Sequence, residues 1–239
     1  MTAHYESVPN ATLYTDAFGV SPPETTPMPD VWPRKPGFFI RNVTSPADAP
    51  PDGQALASLP LELSRGQFGL VPTWVKSASD AKLRSTKLVN ARSETVSTSN
   101  HFRDTWLAGQ RCIVPMMAFF EDDWRSGKAV PTRIARVDGK PMGVAGLWER
   151  WAKDGVEIIS FTLLSVNANS HALLHLYQQN GNEKRMPVIL GEGAYGAWMS
   201  ARPEKAREFM RAYPAHLLTA NPLQKKQRVG DAPGFAPIS

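Results

Sequence analysis

Apolar residues recur along this chain mainly in short runs with the length of β-strands. Residues 37–41, 61–70 and 156–166 alternate or cluster apolar side chains, and each run predicts one strand. Residues 113–120 are almost all apolar, which predicts a strand buried on both faces. Residues 187–190 predict one further, short strand.

A turn signal separates two more strand-like runs. Residues 129–137 alternate apolar with polar positions, Asp138 and Gly139 follow as a turn dipeptide, and residues 142–147 are again apolar. Because Asp-Gly between two such runs is a strong signal for a tight turn, we expect a β-hairpin here.

Helical periodicity is limited to short stretches. The candidates are residues 102–107, 170–177, 192–198 and 203–212. Proline is frequent between residues 22 and 51, which favours extended segments and turns over helices.

The order of these elements indicates the fold class. Strands interspersed with short helices, without a regular β-α-β alternation, predict an α+β protein. We expect a single domain built on a curved or barrel-like, mixed but mostly antiparallel β-sheet with short peripheral helices. The domain is expected to span residues 1–215, followed by an extended C-terminal tail over residues 216–239.

Composition narrows the location and the partners. With 239 residues, of which 42% are hydrophobic and 21% charged, the chain resembles ordinary globular proteins. It has no apolar run of the roughly 20 residues needed to span a bilayer, and its first residues lack the pattern of a signal peptide. We therefore expect a cytoplasmic location and no membrane partner. The net charge of +5 is a mild bias toward polyanionic partners.

Cysteine and histidine usage restricts the metal chemistry. The single cysteine, Cys112, excludes an internal disulfide and a cysteine-based zinc cage, and its apolar surroundings predict a core residue rather than a reactive thiol. His171 and His175 lie one helical turn apart, but no third candidate ligand is near them in sequence. We expect no metal site and no cofactor.

Three polar residues form a candidate reaction site. Asn90, Arg92 and Glu121 provide an amide, a guanidinium and a carboxylate, and Glu121 follows two aromatic residues that could remove water from it. Each also has a structural interpretation. Glu121 could simply end a buried strand, while Asn90 and Arg92 could cap a turn and pair with Glu94.

Two further residues are candidates for binding. Trp74 follows a Pro-Thr turn, and it is either a core residue or a residue that stacks on a nucleobase. His4 is either a hydrogen-bonded structural residue or a contact to phosphate. The sequence leaves both pairs of alternatives open.

Six ordered motifs carry a family resemblance. They are FGLVPTW at 68–74, NARSET at 90–95, RCIVP at 111–115, FFE at 119–121, WRSGK at 124–128 and EKRMP at 183–187. Together they resemble the SOS response-associated peptidase (SRAP) family, also called the abasic-site processing family, from Met1 to about Leu190. The first six residues are similar to a bacterial and phage-related branch of that family.

The resemblance implies a specific chemistry. Family members bind single-stranded DNA at abasic sites, and their mature N-terminal cysteine attacks the sugar aldehyde to form a Schiff base and then a thiazolidine cross-link. By resemblance, Asn90 binds the lesion sugar, Arg92 binds phosphate, and Glu121 and a downstream histidine move protons. A role in the DNA damage and SOS response, a monomeric state and association with the nucleoid when bound to DNA are likewise implied.

The chain departs from the family pattern at its most important position. Thr2 stands where the family has cysteine, so the thiol that closes the stable ring is absent. The α-amine exposed by removal of Met1 remains suited to imine formation, because roughly 10 to 17% of it is neutral at pH 7, against roughly 0.04% of an ordinary lysine. A threonine hydroxyl is a poor nucleophile. We therefore predict a reversible imine, with strand scission by β-elimination left open, and no durable cross-link.

A second departure concerns the proton-handling histidine. By resemblance it is expected at about Gln178, and glutamine cannot shuttle a proton at neutral pH. His175 or His171 could substitute if the alignment shifts. If neither does, only Glu121 remains to move protons, with slowed or abolished chemistry. Asp122 adds a like charge beside Glu121 that would raise the pKa of Glu121.

Three hypotheses therefore stand. The protein is an abasic-site processing enzyme or lyase that uses the Thr2 amine, a degenerate family member that only binds abasic or junction DNA, or a peptidase with Thr2 as an N-terminal nucleophile.

Overall fold

The computed structural model describes residues 2–43, 60–179 and 181–223. Within these residues the strands are β1 Tyr5–Glu6, β2 Asp30–Val31, β3 Pro36–Asn42, β4 Leu61–Phe68, β5 Asn90–Arg92, β6 Arg111–Met116, β7 Ala118–Asp123, β8 Val130–Arg136, β9 Met142–Lys153, β10 Val156–Asn167, β11 Arg185–Pro187, β12 Ile189–Leu190 and β13 Leu218–Pro222. The α-helices are α1 Ala11–Phe18, α2 Ala78–Ser85, α3 Arg103–Leu107, α4 Tyr195–Ser200 and α5 Pro203–Ala206. None of the helices in this described part is long and apolar enough to cross a membrane.

Five strands close into a mixed barrel. Their order is β4, β3, β6, β9 and β10, and β10 closes the ring because it pairs with β9 on one side and with β4 on the other. The pairing of β10 with β4 is parallel, whereas the other four pairings are antiparallel. A closed ring leaves no free edge among these strands. The predicted α+β domain with a barrel-like, mostly antiparallel sheet is confirmed.

The longest hairpin is not the one that the sequence predicted. Strands β9 and β10 pair from Val156↔Lys153 to Leu163↔Gly146. The turn between them is Asp154 and Gly155, which have positive φ angles of 50° and 75°. Two successive positive φ angles characterise the tight turns that match the twist of a hairpin. The hairpin predicted around Asp138 and Gly139 is wrong, because β8 pairs with β7 and β13 while β9 stays in the barrel. Alternation of apolar residues indicates which face of a strand is buried, but it does not identify the strand with which it pairs.

A change of sheet divides the predicted strand 113–120. Strand β6 belongs to the barrel, and β7 belongs to a second sheet with the order β13-β8-β7-β1-β2. Between them, the Met117 amide donates to the carbonyl of Glu6 at 2.9 Å. The short strand predicted at 187–190 is likewise divided at Val188, into β11 and β12. At the first division the chain passes from the barrel to the second sheet, and at the second its partner changes from β10 to β9.

The N-terminal segment lies in the middle of the second sheet. Tyr5 of β1 pairs with Phe119 of β7 on one side and with Val31 of β2 on the other. The far edge of this sheet is β13, which starts near the beginning of the predicted tail, and residues 224–239 of that tail lie outside the described residues.

The helices are short and peripheral, as expected. Helices α3 and α5 fall within the predicted stretches 102–107 and 203–212, and α4 overlaps 192–198 but continues to Ser200. Residues 170–177 contain only a 3-10 turn at Leu174–Leu176. Sequence analysis missed α1 and α2. A start signal was present for α2, because the Ser77 side chain accepts a hydrogen bond from the Asp80 amide. Gly19, with a φ of 67°, ends α1 in the left-handed conformation.

The core fills the barrel interior and the space between the barrel and the second sheet. Cys112 is fully buried there, and burial raises the pKa of its thiol well above the ordinary value. The interpretation of Cys112 as a core residue is confirmed.

Gly69 offers a test of this packing, because it follows β4 with a φ of +112° and a Cβ there would collide with the Ser85 carbonyl oxygen. Gly69→Ala is expected to lower the free energy of unfolding by about 2 to 4 kcal/mol, from backbone strain and overpacking together. Gly191→Ala is the matched control, since Gly191 has a φ of −68° and open space around it. Urea unfolding followed by tryptophan fluorescence measures both. Equal stability of the two variants would contradict this account.

Candidate active site at the N-terminal residue

Thr2 is buried and held by two short hydrogen bonds. Its hydroxyl donates to Oε1 of Glu121 at 2.6 Å, and its carbonyl oxygen accepts from Nδ2 of Asn90 at 2.6 Å. Asn90 itself is fixed by the parallel pairing of β5 with β10, in which it lies opposite Leu163. Residues 2, 90 and 121 thus meet at one point although they are far apart in sequence.

Glu121 lies near the end of β7, opposite Thr132 of β8. Burial raises the pKa of its carboxyl, and the like charge of Asp122 adds to that rise. The ammonium at the chain N-terminus and hydrogen bonds from Thr2 and Gln178 act in the opposite direction without reversing the shift. The carboxyl therefore holds its proton at higher pH than an exposed glutamate does.

Gln178 is the residue that contacts Glu121 from the other side. The φ of Gln178 is +68°, which is uncommon outside glycine. The Gln178 main chain donates to the carbonyl of Asp122 at 2.8 Å. Its side-chain amide pairs with the main chain of Arg185, donating to the carbonyl at 2.7 Å and accepting from the amide at 3.3 Å. These bonds fix the unusual backbone and hold Gln178 against the carboxylate.

The two histidines that could have replaced Gln178 are bonded elsewhere. Nε2 of His171 lies 2.7 Å from the carbonyl of Tyr213, and its Nδ1 accepts from the amides of Leu173 and Leu174. Nδ1 of His175 lies 2.7 Å from the carbonyl of His171.

Arg92 lies at the rim of the site with a half-exposed side chain. Its Nη1 is 3.1 Å from Oε2 of Glu183. Glu94 does not pair with Arg92, as the structural interpretation had allowed, but with Arg185 at 2.8 Å. The turn part of that interpretation is present, because the Arg92 carbonyl accepts from the amides of Thr95 and Val96.

Arg185 is a site residue that sequence analysis left without a role. It is 1% exposed, and its guanidinium bonds to Glu94, Glu183 and Ser165. Its position in the EKRMP motif was the available signal. By holding Glu183 at 2.7 Å, Arg185 sets the position of the carboxylate that contacts Arg92.

A cleft of about 390 Å³ opens over these groups. The residues that line it are Arg92, Glu121, Asp122, Trp124, Gln178, Gln179, Asn182, Glu183 and Arg185. One rim is cationic at Arg92, while the carboxyl of Glu121 lies at the inner wall. The cleft thus carries charged groups of both signs, with the Glu121 carboxyl at its inner end.

The two binding candidates lie outside that lining. His4 bonds through Nε2 to Asp30 at 2.7 Å and lies stacked between Trp32 and Phe120. Trp74 is 40% exposed, and its indole N–H donates to the carbonyl of Asn100 at 3.0 Å. Trp74 is therefore not a buried core residue, and its stacking on a nucleobase stays a prediction.

Metal chemistry has no visible basis in the described part of the chain. No group of three or more histidine, cysteine, aspartate or glutamate side chains there could hold a metal ion.

The fold and the site together define a class of protein: a single α+β barrel domain in which Thr2, near the start of the chain, lies against a buried carboxyl group. The family model for SOS response associated peptidase (SRAP) matches residues 2–231. The chain belongs to the SRAP family.

Characterised relatives are similar over part of their length. The abasic site processing protein YoaM of Bacillus subtilis is 29% identical over 160 residues, which is 64% of each chain. The abasic site processing protein HMCES of Gallus gallus is 26% identical over 180 residues, covering 66% of this chain and 51% of that protein. The chain thus spans less than two thirds of the length of these relatives.

Solved structures resemble the fold over nearly the whole chain. A Bordetella bronchiseptica protein is 38% identical and superposes with a TM-score of 0.81, covering 93% of this chain and 100% of that one. A Bacteroides thetaiotaomicron protein, 22% identical with a TM-score of 0.73 over 92% of this chain and 91% of that one, shares the fold.

Replacing Glu121 by glutamine is expected to change how stability depends on pH. Because burial raises the pKa of Glu121 above its ordinary 4.5, the unfolded chain loses this proton first as the pH rises. The stability that the carboxyl contributes is thus fully present below the pKa of the unfolded chain, and it is lost as the pH rises through the higher pKa of the folded protein. Glu121→Gln, which stays neutral, should be more stable than wild type at neutral pH and gain nothing in acid.

Urea unfolding at several pH values measures this difference. Asp123→Asn is a control of opposite sign, because the Arg125 side chain lowers the pKa of Asp123, and this variant should lose stability at neutral pH. A Glu121→Gln variant that is less stable than wild type at neutral pH would contradict the assignment.

Proposed function

We propose that this protein binds single-stranded DNA at abasic sites and processes the lesion through its N-terminal residue. The observation that carries the proposal is the fixation of Thr2, through its hydroxyl and its carbonyl, between Glu121 and Asn90 at 2.6 Å each. Family membership and the names of the relatives support it. A residue held so tightly at the chain terminus is preorganised for chemistry at its own nitrogen.

Binding is assigned to two residues beside Thr2. The half-exposed guanidinium of Arg92 can exchange its contact with Glu183 for a DNA phosphate, which guanidinium groups bind with two parallel hydrogen bonds. Oδ1 of Asn90 is buried and has no hydrogen-bond partner among the described residues, so it can accept from a sugar hydroxyl of the opened lesion. DNA bound in this way brings the aldehyde toward Thr2.

The covalent step is formation of an imine. After Met1 is removed, the neutral α-amine of Thr2 attacks C1′ of the ring-opened sugar, the aldehyde oxygen is protonated, and one water leaves as the C=N bond forms. Glu121 supplies this proton, because its raised pKa keeps the acid form populated nearer neutral pH. With Gln178 in place of a histidine, Glu121 is the one titratable group assigned to this step.

The second step of the family chemistry is weakened. Attack of the Thr2 hydroxyl on the imine would close an oxazolidine, but an alcohol is a far weaker nucleophile than a thiolate and the ring reopens readily. The adduct is therefore reversible, and hydrolysis returns the free amine and the aldehyde.

Borohydride reduction followed by mass spectrometry tests the covalent step. Wild type with Met1 removed should give a trapped adduct with abasic single-stranded DNA, and protein that retains Met1 should give none. Thr2→Ala keeps the amine and should still be trapped. Thr2→Cys should form an adduct that survives without reduction, because a thiol can close the stable ring.

Two results would contradict this account. Absence of any trapped species from wild type, despite tight binding, would replace this proposal by a degenerate protein that shields DNA without chemistry. A trapped adduct in wild type that is lost in Thr2→Ala would contradict the assignment of the amine as the nucleophile.

A hydrolase acting on protein is the second candidate, and one observation favours it. The Thr2 hydroxyl already donates to a carboxylate at 2.6 Å, which is the geometry of a nucleophile beside a base. Release of a peptide product without DNA, abolished in Thr2→Ala, would select this function.

The role of Arg92 is tested by DNA affinity at several salt concentrations. Arg92→Ala should weaken binding uniformly across sequences and reduce the slope of log affinity against log salt by about one, because one phosphate contact is lost. Arg150→Ala is the matched control, since Arg150 is also an exposed arginine paired with a glutamate, Glu157, but lies on the β9–β10 hairpin. Equal salt slopes for Arg92→Ala and wild type would refute the phosphate contact.

A further inference from the structure

Three flat rings form a continuous stack beside Thr2. The imidazole of His4 lies between the indole of Trp32 and the ring of Phe120, with centroid separations of 3.8 and 4.0 Å. The ring planes are tilted by 12° and 9°. This spacing is near the roughly 3.4 Å rise between neighbouring bases on one strand of DNA.

The inner end of the stack is fixed to the candidate active site. Phe120 precedes Glu121 in β7, and its amide donates to the carbonyl of His4 at 3.1 Å. His4 follows Thr2 by two residues, and Nε2 of His4 is 2.7 Å from Oδ1 of Asp30. The imidazole of His4 therefore cannot turn out of the stack without breaking its contact with Asp30.

The outer end of the stack is open. Trp32 is 50% exposed although it is a large aromatic residue, and the preceding residue, Val31, is fully buried in β2. Val31 anchors the backbone, so Trp32 is not needed to fill the core. One indole face meets His4, and the rest of the side chain is available to a ligand.

We infer that Trp32 is a stacking platform for the nucleobase that flanks the abasic lesion. The inference rests on the proposed function. A base beside an abasic site lacks one stacking neighbour, and the indole of Trp32 can replace that neighbour at the end of an existing stack. Aromatic residues recognise single-stranded nucleic acid in this sequence-tolerant way.

The position of Trp32 favours it over Trp74 for this contact. The indole N–H of Trp74 donates to Asn100, and its ring contacts both the guanidinium of Arg84, at 4.9 Å, and the imidazole of His101, at 5.7 Å. Trp32 is instead connected to the reacting residue through His4. The occupant is a nucleobase rather than a protein side chain because the stack begins beside Thr2, the residue proposed to react with the sugar that has lost its base.

Fluorescence of 2-aminopurine tests the inference. The probe is placed 5′ or 3′ to a tetrahydrofuran residue, a stable abasic analogue that cannot form an imine, in a single-stranded oligonucleotide. Wild type should quench the probe on one side of the lesion. Trp32→Ala should abolish this quenching and weaken binding about 5- to 150-fold, whereas Trp32→Phe should retain most of both.

Two measurements keep the result interpretable. Thermal unfolding confirms that Trp32→Ala is folded, as expected for a half-exposed side chain, and Val156→Ala serves as a control at the hairpin turn of β10. Val156 is an exposed apolar residue, about 23 Å along β10 from Leu163, the partner of Asn90. It should bind and quench like wild type.

The outcomes distinguish failure of the inference about Trp32 from failure of the proposed abasic-site binding. Equal binding and quenching by Trp32→Ala and wild type would overturn the inference and leave abasic-site binding intact. Quenching that persists in Trp32→Ala but disappears in Trp74→Ala would overturn it in favour of Trp74. Failure of wild type to bind the oligonucleotide at all would overturn both.

Discussion

The pairing of β1 between β7 and β2 is the constraint from which the site follows. Tyr5 lies opposite Phe119, so continuing this antiparallel register brings His4 opposite Phe120 and Ala3 opposite Glu121. This register explains the stacking of His4 on Phe120, and it places Thr2 one residue from the position opposite Glu121, where its hydroxyl reaches the carboxyl group. Because β1 has a strand on each side, the segment that carries Thr2 is anchored to the sheet at Tyr5 and Glu6.

Charge at the site is arranged in two layers with different character. In the inner layer, Glu121 is buried among neutral hydrogen-bond donors, and burial raises its pKa. In the outer layer, the buried guanidinium of Arg185 bonds to Glu94 and Glu183, and Glu183 contacts Arg92 at the rim. Leaving the buried guanidinium of Arg185 without a partner would be costly, so Arg185 holds the carboxylates of Glu94 and Glu183 in place. The site therefore combines a protonatable inner wall with a charged entrance.

Sequence analysis located the residues of the site better than it located the partners of the strands. The motifs identified Asn90 and Glu121, which converge on Thr2, and Arg92, which lies at the rim. They also placed Gln178 where it contacts Glu121. The hairpin at Asp138 and Gly139 was wrong because strand pairing over long separations leaves no local signal. Trp32 was missed for a related reason. It lies in a proline-rich segment without periodicity, and its importance depends on a ring contact with His4, which is 28 residues away in sequence.

The inward hydrogen bonding of Thr2 also affects how the protein can be prepared. With its hydroxyl and carbonyl both occupied, the nitrogen is the remaining polar group of this residue, and it is basic only when nothing is attached to it. An affinity tag joined before Thr2 turns that nitrogen into an amide, whose lone pair is delocalised and does not attack carbonyl groups. Under the proposed function, a sample tagged at this end is folded but inert, whereas a tag after Ser239 leaves the amine exposed by Met1 removal unmodified.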